Sequence, residues 1–233
     1  MNNFLGVLGG MGPLATVDFL KKIVDNTSAH TDQEHVPILL YGDCTTPDRT
    51  ANIVGNGVSP LPHMLKGIKF LSQAGVGAIC IPCNSTHNWY EQIQAASNVP
   101  VLHIGNASVA LLQKLNPEAR AIGVLSTLGT LRAGIYAKPL EQMGYDVLSP
   151  SEEEFYTLVS PGIACVKANQ VDEAERLFAK AADRLLQRGA HAIILGCTEI
   201  PLGMQQQCRL APTTYVDSTD ALALAAIKFL SSK

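Results

Sequence analysis

The sequence is short of charge. Asp, Glu, Lys and Arg make up only 16% of its 233 residues, against roughly 25% in an ordinary soluble domain. Hydrophobic residues supply 47%, so much of the chain has to be buried and little polar surface remains. Disorder is excluded at this hydrophobicity. A basic cluster is missing too: 17 basic against 20 acidic residues leave a formal charge of −3. That removes the electrostatic footprint of a nucleic-acid-binding protein. No apolar run approaches the roughly 18 residues that span a bilayer. Met1-Asn2-Asn3 carries no basic region and glycines soon follow Phe4, which does not read as a signal peptide. The expectation is a cytoplasmic protein with no nucleic-acid or membrane partner.

Disulfide and metal patterns are also lacking. The six cysteines are Cys44, Cys80, Cys83, Cys165, Cys197 and Cys208. A long chain without a secretion signal favours free thiols. Cys80-Ile81-Pro82-Cys83 has the C-x-x-C spacing of a redox pair or half a zinc site. Zinc needs a second ligand pair at short spacing, and there is none. A redox pair opens a helix with its first cysteine, whereas Cys80 lies in the apolar run Ala78–Ile81, which reads as a strand. Cys80 is therefore assigned to the core, and no metal is expected. Gly9-Gly10-Met11-Gly12 lacks the G-x-G-x-x-G spacing of a dinucleotide site. Its glycines instead let backbone approach a small ligand.

What is present is alternation. Apolar runs at Phe4–Leu8, Val36–Tyr41, Gly77–Pro82 and Val99–Ile104 read as strands. Helical periodicity runs over Ala15–Val24, Leu61–Gln73, Ser85–Ala96 and Ala107–Leu115. The second half repeats this, with strands at Ala121–Leu125, Ala192–Leu195 and Thr214–Val216 and helices at Val171–Gln187 and Thr219–Leu230. Strands alternating with helices predict α/β architecture, with parallel sheets covered on both faces. A shift of 114 places Leu71 on Leu185, Gly75 on Gly189, Ala78 on Ala192, Ile79 on Ile193 and Cys83 on Cys197. The chain therefore reads as two related halves. The unusual match is a cysteine at the same strand end in each.

Open parallel sheets bind ligands at the carboxyl ends of their strands. Cys83 and Cys197 belong there, each followed by small polar residues, Asn84-Ser85-Thr86 and Thr198-Glu199. Turns of this kind offer free N–H groups to anions and favour a thiolate. Two halves facing each other would set the thiols across one cleft. That arrangement suits inversion of a carbon bearing hydrogen, with a base on one face and an acid on the other. A free thiol has a pKa of about 8.5, close enough to neutrality to serve in both states.

With these residues in view, the sequence resembles the aspartate/glutamate racemase family. The matching pieces are Gly9-Gly10-Met11-Gly12-Pro13, Pro47-Asp48-Arg49-Thr50, Cys83-Asn84-Ser85-Thr86-His87, Gly129-Thr130 and Leu195-Gly196-Cys197-Thr198-Glu199-Ile200. They span nearly the whole chain. Glu199, where glutamate racemases typically carry His, and a first loop without Ser point to the aspartate racemase branch. The resemblance implies two pseudo-symmetric parallel-sheet α/β domains with the active site in the cleft between them. The boundaries would be 1–105 plus 217–233 and 106–216, with the last helix crossing back to the first domain. It implies an isomerase without a cofactor, acting on an amino acid as a homodimer. Cys83 and Cys197 would be the acid/base pair. Asn84, Ser85 and Thr198 would hold the α-carboxylate, with Met11, Thr127, Thr130 and Glu199 nearby. Arg49, by motif, and Lys167, by position, would hold the distal carboxylate of aspartate. Ser85 stands where the family often has Thr, which keeps the hydroxyl. A broader amino-acid or hydantoin racemase would depend little on Arg49. A non-catalytic amino-acid-binding protein would tolerate loss of both cysteines. His87 either orients the Cys83 turn or caps a helix; the other histidines and Trp89 are read as structural or surface residues, and Glu152-Glu153-Glu154 as a solvated turn or helix start.

Overall fold

A computed structural model describes residues 4–232. The first half runs β1 (Leu5–Gly9), α1 (Pro13–Asn26), β2 (Ile38–Gly42), α2 (Arg49–Ile53), α3 (Leu61–Gln73), β3 (Ala78–Cys80), α4 (Tyr90–Ala95), β4 (Val101–Leu102) and α5 (Ile104–Leu115). The second runs β5 (Ala121–Ser126), α6 (Leu128–Ala133), α7 (Ala137–Gln142), β6 (Asp146–Leu148), α8 (Glu152–Glu154), α9 (Ser160–Lys167), α10 (Val171–Gln187), β7 (Ala192–Gly196), α11 (Ile200–Gly203), α12 (Gln205–Leu210), β8 (Tyr215–Asp217) and α13 (Ser218–Ser231).

Each half forms a four-stranded, all-parallel sheet, ordered β2-β1-β3-β4 and β6-β5-β7-β8. The registers repeat as well. Leu5 pairs with Ala78 as Ile122 pairs with Ala192, and Ile79 pairs with Val101 as Ile193 pairs with Tyr215. The inner strands β1 and β7 are buried along their whole length, as expected where helices cover both faces. Helix α1 starts at Pro13, where a missing N–H costs nothing, and buries Ala15, Phe19 and Ile23 at helical spacing.

The helices cross over. Helix α5 leaves the first sheet and packs on β7, β8 and α7, while α13 leaves the second and packs along α1 and against β3 and β4. The two helices also pack on each other. One apolar core therefore runs through both halves, joining Leu5, Val7 and Phe19 to Ile122, Val124 and Ile194 through Leu112, Leu222 and Ala226.

Several sequence expectations shift. The strand expected over Val99–Ile104 keeps only Val101–Leu102, because the His103 side chain accepts hydrogen bonds from Gly105 N and Asn106 N and starts α5 at Ile104, ahead of Ala107. The helix expected from Ser85 opens as a 3₁₀ segment, Ser85–Trp89, before α4 begins. Strand β6 and the short α2 carry too little pattern to be read in advance. Glu154 is not solvated. It forms a capping box with Ser151 and ion pairs with Arg184 and Arg188, while Glu152 and Glu153 are exposed at the start of α8, as expected.

Candidate active site

Cys83 and Cys197 stand just beyond β3 and β7, the corresponding strands of the two sheets. Both are 5% exposed, and both open on one small, partly enclosed cleft. The same cleft is lined by Met11, Arg49, Asn84, Ser85, Thr127, Thr130, Lys167, Thr198 and Glu199, and further by Asp48, Thr50 and Ile163. Every site residue singled out from the sequence is thus brought to one place. Among the described residues, no group of three or more His, Cys, Asp and Glu is arranged to hold a metal ion.

The first glycine loop reaches the site because Gly10, at φ +91°, lets it turn against Asp43; a Cβ there would lie 2.5 Å from the Asp43 backbone. Arg49, the first residue of α2, is pinned by backbone. Its Nη1 donates to Thr46 O (3.3 Å) and Pro47 O (3.1 Å), and its Nη2 to Met11 O (3.4 Å). Its Nε is buried without a hydrogen-bond partner among the described residues. Burial works against the guanidinium's charge, but Cys83, Asp48 and Glu199 outweigh it and hold the Arg49 pKa above its usual value.

The second cysteine faces the opposite sign. Cys197 Sγ donates to Glu199 Oε2 at 3.1 Å, and Thr198 Oγ1 donates to the same oxygen at 3.1 Å. Burial first, then the Glu199 carboxylate and Cys83, push the Cys197 thiol well above its ordinary pKa, so it holds its proton at neutral pH. Beside Cys83 stands the Ser85 hydroxyl, 3.7 Å from the sulfur.

His87 is fully enclosed behind this turn. Its Nδ1 meets Cys83 O at 3.0 Å and its Nε2 accepts from Ile104 N at 3.2 Å. That pairing fits only the neutral Nδ1–H form, in which Nδ1 donates to the carbonyl. Burial, with His103 nearby, lowers the His87 pKa to about 3. His87 therefore orients the Cys83 turn as a neutral ring and carries no charge.

Thr127 Oγ1 accepts from Thr130 N (3.1 Å), capping α6, and donates to Thr130 Oγ1 (3.0 Å). Gly129 lets α6 close on α2, since a Cβ there would lie 2.8 Å from Thr50 Oγ1. Lys167 is exposed at the end of α9, at the rim.

The family model of Asp/Glu/hydantoin racemase matches residues 8–226. The chain belongs to the Asp/Glu/hydantoin racemase family. Racemases are isomerases, and that is the class of this enzyme. Its sequence is 30% identical over 210 residues to the broad specificity amino-acid racemase RacX of Bacillus subtilis, covering 84% of this chain and 85% of that one. Its fold is similar to that of Picrophilus torridus aspartate racemase, with a TM-score of 0.87 and 30% identity, over 99% of this chain and 95% of that one. Glutamate racemase of Francisella tularensis, solved with D-glutamate, shares the fold at a TM-score of 0.73 and 20% identity, over 99% of this chain and 82% of that one.

On the wall of this racemase cleft Ile163 escaped the sequence reading, and so did two residues behind it, Tyr136 and Ser218. The Asn84 amide is engaged at both ends: the Tyr136 hydroxyl donates to its Oδ1, and its Nδ2 donates to Ser218 Oγ at 3.2 Å. Neither partner lies in a motif, and no spacing rule would have found them. Asp48 and Thr50, by contrast, lie within a quoted motif.

Proposed function

We propose that this racemase interconverts L- and D-aspartate without pyridoxal phosphate, by two-base proton transfer at Cα. Cys83 and Cys197 would act on opposite faces: the thiolate on one side removes the α-proton while the thiol on the other delivers one. The observation that carries this reading is the pair itself, two repeat-related cysteines opening on one small cleft. Their unlike surroundings supply the division of labour, since Arg49 serves the Cys83 side and Glu199 keeps a proton on Cys197. The units 1–105 plus 217–233 and 106–216 would each carry one cysteine, and the molecule would work as a homodimer.

The α-carboxylate is assigned to the Ser85 and Thr198 hydroxyls, the backbone beside them and the remaining Asn84 amide hydrogen, with Thr127 and Thr130 adjacent. Such donors stabilise the charge that spreads onto the carboxylate as the proton leaves. The distal carboxylate is assigned to Arg49, whose buried Nε has an unused hydrogen, and to Lys167 at the rim. The similarity to a broad specificity racemase favours a wider substrate range as the second reading. Under it, Arg49→Met would leave turnover of neutral amino acids intact.

The test is loss of optical rotation from L- and D-aspartate, glutamate and alanine without added cofactor. Aspartate is expected to racemise, and Cys83→Ala and Cys197→Ala each to abolish the reaction while the protein stays folded. A cysteine variant with near-full activity would overturn the two-base reading, and an inert wild type would overturn the function.

A further inference from the structure

We infer that Tyr136 is a positioning residue that fixes the separation of the two cysteine turns. The inference rests on the two-cysteine reading above and adds what holds that pair in register. Tyr136 is 2% exposed and stands just before α7, on neither cysteine's strand. Its hydroxyl donates to Asn84 Oδ1, on the residue after Cys83. Its ring lies against Gly196, the residue before Cys197: a Cβ on Gly196 would sit 2.7 Å from Tyr136 Cε2 and 3.1 Å from Cδ2. One side chain therefore touches the backbone neighbour of both thiols.

The contact closes into a ring. Asn84 Nδ2 donates to Ser218 Oγ at 3.2 Å, and Ser218 Oγ donates to Leu195 O at 2.7 Å. Leu195 lies two residues before Cys197, on the strand that Gly196 ends. All of these groups are buried, so each bond is shielded from water and each loss leaves a polar atom unpaired. Burial pushes the Tyr136 phenol up, which keeps it a neutral donor at working pH.

The need for such a tie follows from the reaction. Cys83 and Cys197 belong to different sheets, and no strand ladder fixes one relative to the other. Both sulfurs must reach a single Cα from opposite faces, and an error of about 1 Å in such an arrangement can cost about a hundredfold in rate. A tie acting only on this separation would be felt in turnover more than in binding.

The experiment compares wild type, Tyr136→Phe and Ser218→Ala, as full chains, starting from L-aspartate in D₂O. Proton NMR reads deuterium at Cα in the recovered L-aspartate and the rate of D-aspartate formation. Thermal melting reports folding. Tyr136→Phe keeps the ring on Gly196 and removes the hydroxyl, with its bond to Asn84 and its hydrogen bonds to Ser108 and Ser218. It is expected to lower kcat by about tenfold or more with little change in KM. The ratio of deuterium in recovered substrate to inverted product is expected to rise, because a carbanion formed at one thiol waits longer for the other. Ser218→Ala, which leaves the Tyr136 ring whole, is expected to shift the ratio in the same direction, and it decides the matter if Tyr136→Phe does not fold. Loss of folded protein alone lowers the rate and leaves the ratio unmoved, and that result would overturn the inference, as would unchanged kinetics. If the wild type itself fails to racemise, the proposed function falls and takes the inference with it. A racemising wild type with unaltered variants overturns the inference alone.

Discussion

Cys83 and Cys197 share a residue type and a strand-end position, yet the charges around them are of opposite sign. Arg49 lies on the Cys83 side. Glu199 accepts a hydrogen bond from Cys197 and, after burial, is the main reason that thiol's pKa is raised. Glu199→Gln keeps the size and removes the like charge, so the Cys197 pKa should fall. If Cys197 must be protonated to deliver its proton, the basic limb of the pH–rate profile moves to lower pH. Initial rates of racemisation across the alkaline range check this, and a limb that stays in place would contradict the assignment. At this scale the sequence was most readable where chemistry sits in short motifs, as at Cys83, Arg49 and Cys197. It was silent on Tyr136 and Ser218, whose bonds to Asn84 span 52 and 134 positions. Contacts of that kind leave no local spacing to detect.

The elements repeat the same devices in both halves. His103 caps α5 by accepting from Gly105 N and Asn106 N, and Asp217 caps α13 by accepting from Thr219 N (2.9 Å) and Asp220 N (3.2 Å). The two caps are related by the shift of 114 that relates the cysteines. Helices with apolar periodicity, such as α1, α3 and α10, could be read from the sequence. Strand β6 could not, because Asp146-Val147-Leu148 is too short to show alternation. A second device fastens the crossing helix. Lys22 on α1 donates to Asp18 Oδ2 (2.6 Å), Asp217 Oδ2 (2.6 Å) and Thr219 Oγ1 (2.7 Å). Burial alone would lower its pKa, but Asp217 and Asp18 outweigh that and raise it. Lys22→Met would strand two poorly exposed carboxylates without their cation. It is expected to cost about 3–5 kcal/mol in urea unfolding. A loss below about 1 kcal/mol, the ordinary worth of a surface pair, would mean that this lock does not hold α13.

Across the whole molecule, the shortage of charge has a structural reason. Two parallel sheets, each covered on both faces and joined by a common apolar core, leave little surface for charged side chains. The repeat legible in the sequence became two sheets of the same strand order and register. The crossing of α5 and α13 was read from the family resemblance together with the strand-before-helix order of both halves. Beside the cleft α6 closes on α2 at Gly129 and Thr50, and the cleft presents one thiol from each half. The most direct test of that arrangement is an early-time reaction of L-aspartate with the wild-type protein in D₂O. The two-base account predicts deuterium at Cα of the D-aspartate formed while the remaining L-aspartate still carries protium, and the mirror result from D-aspartate. Deuterium entering both enantiomers equally from the start would mean a single exchanging base, and would contradict the account.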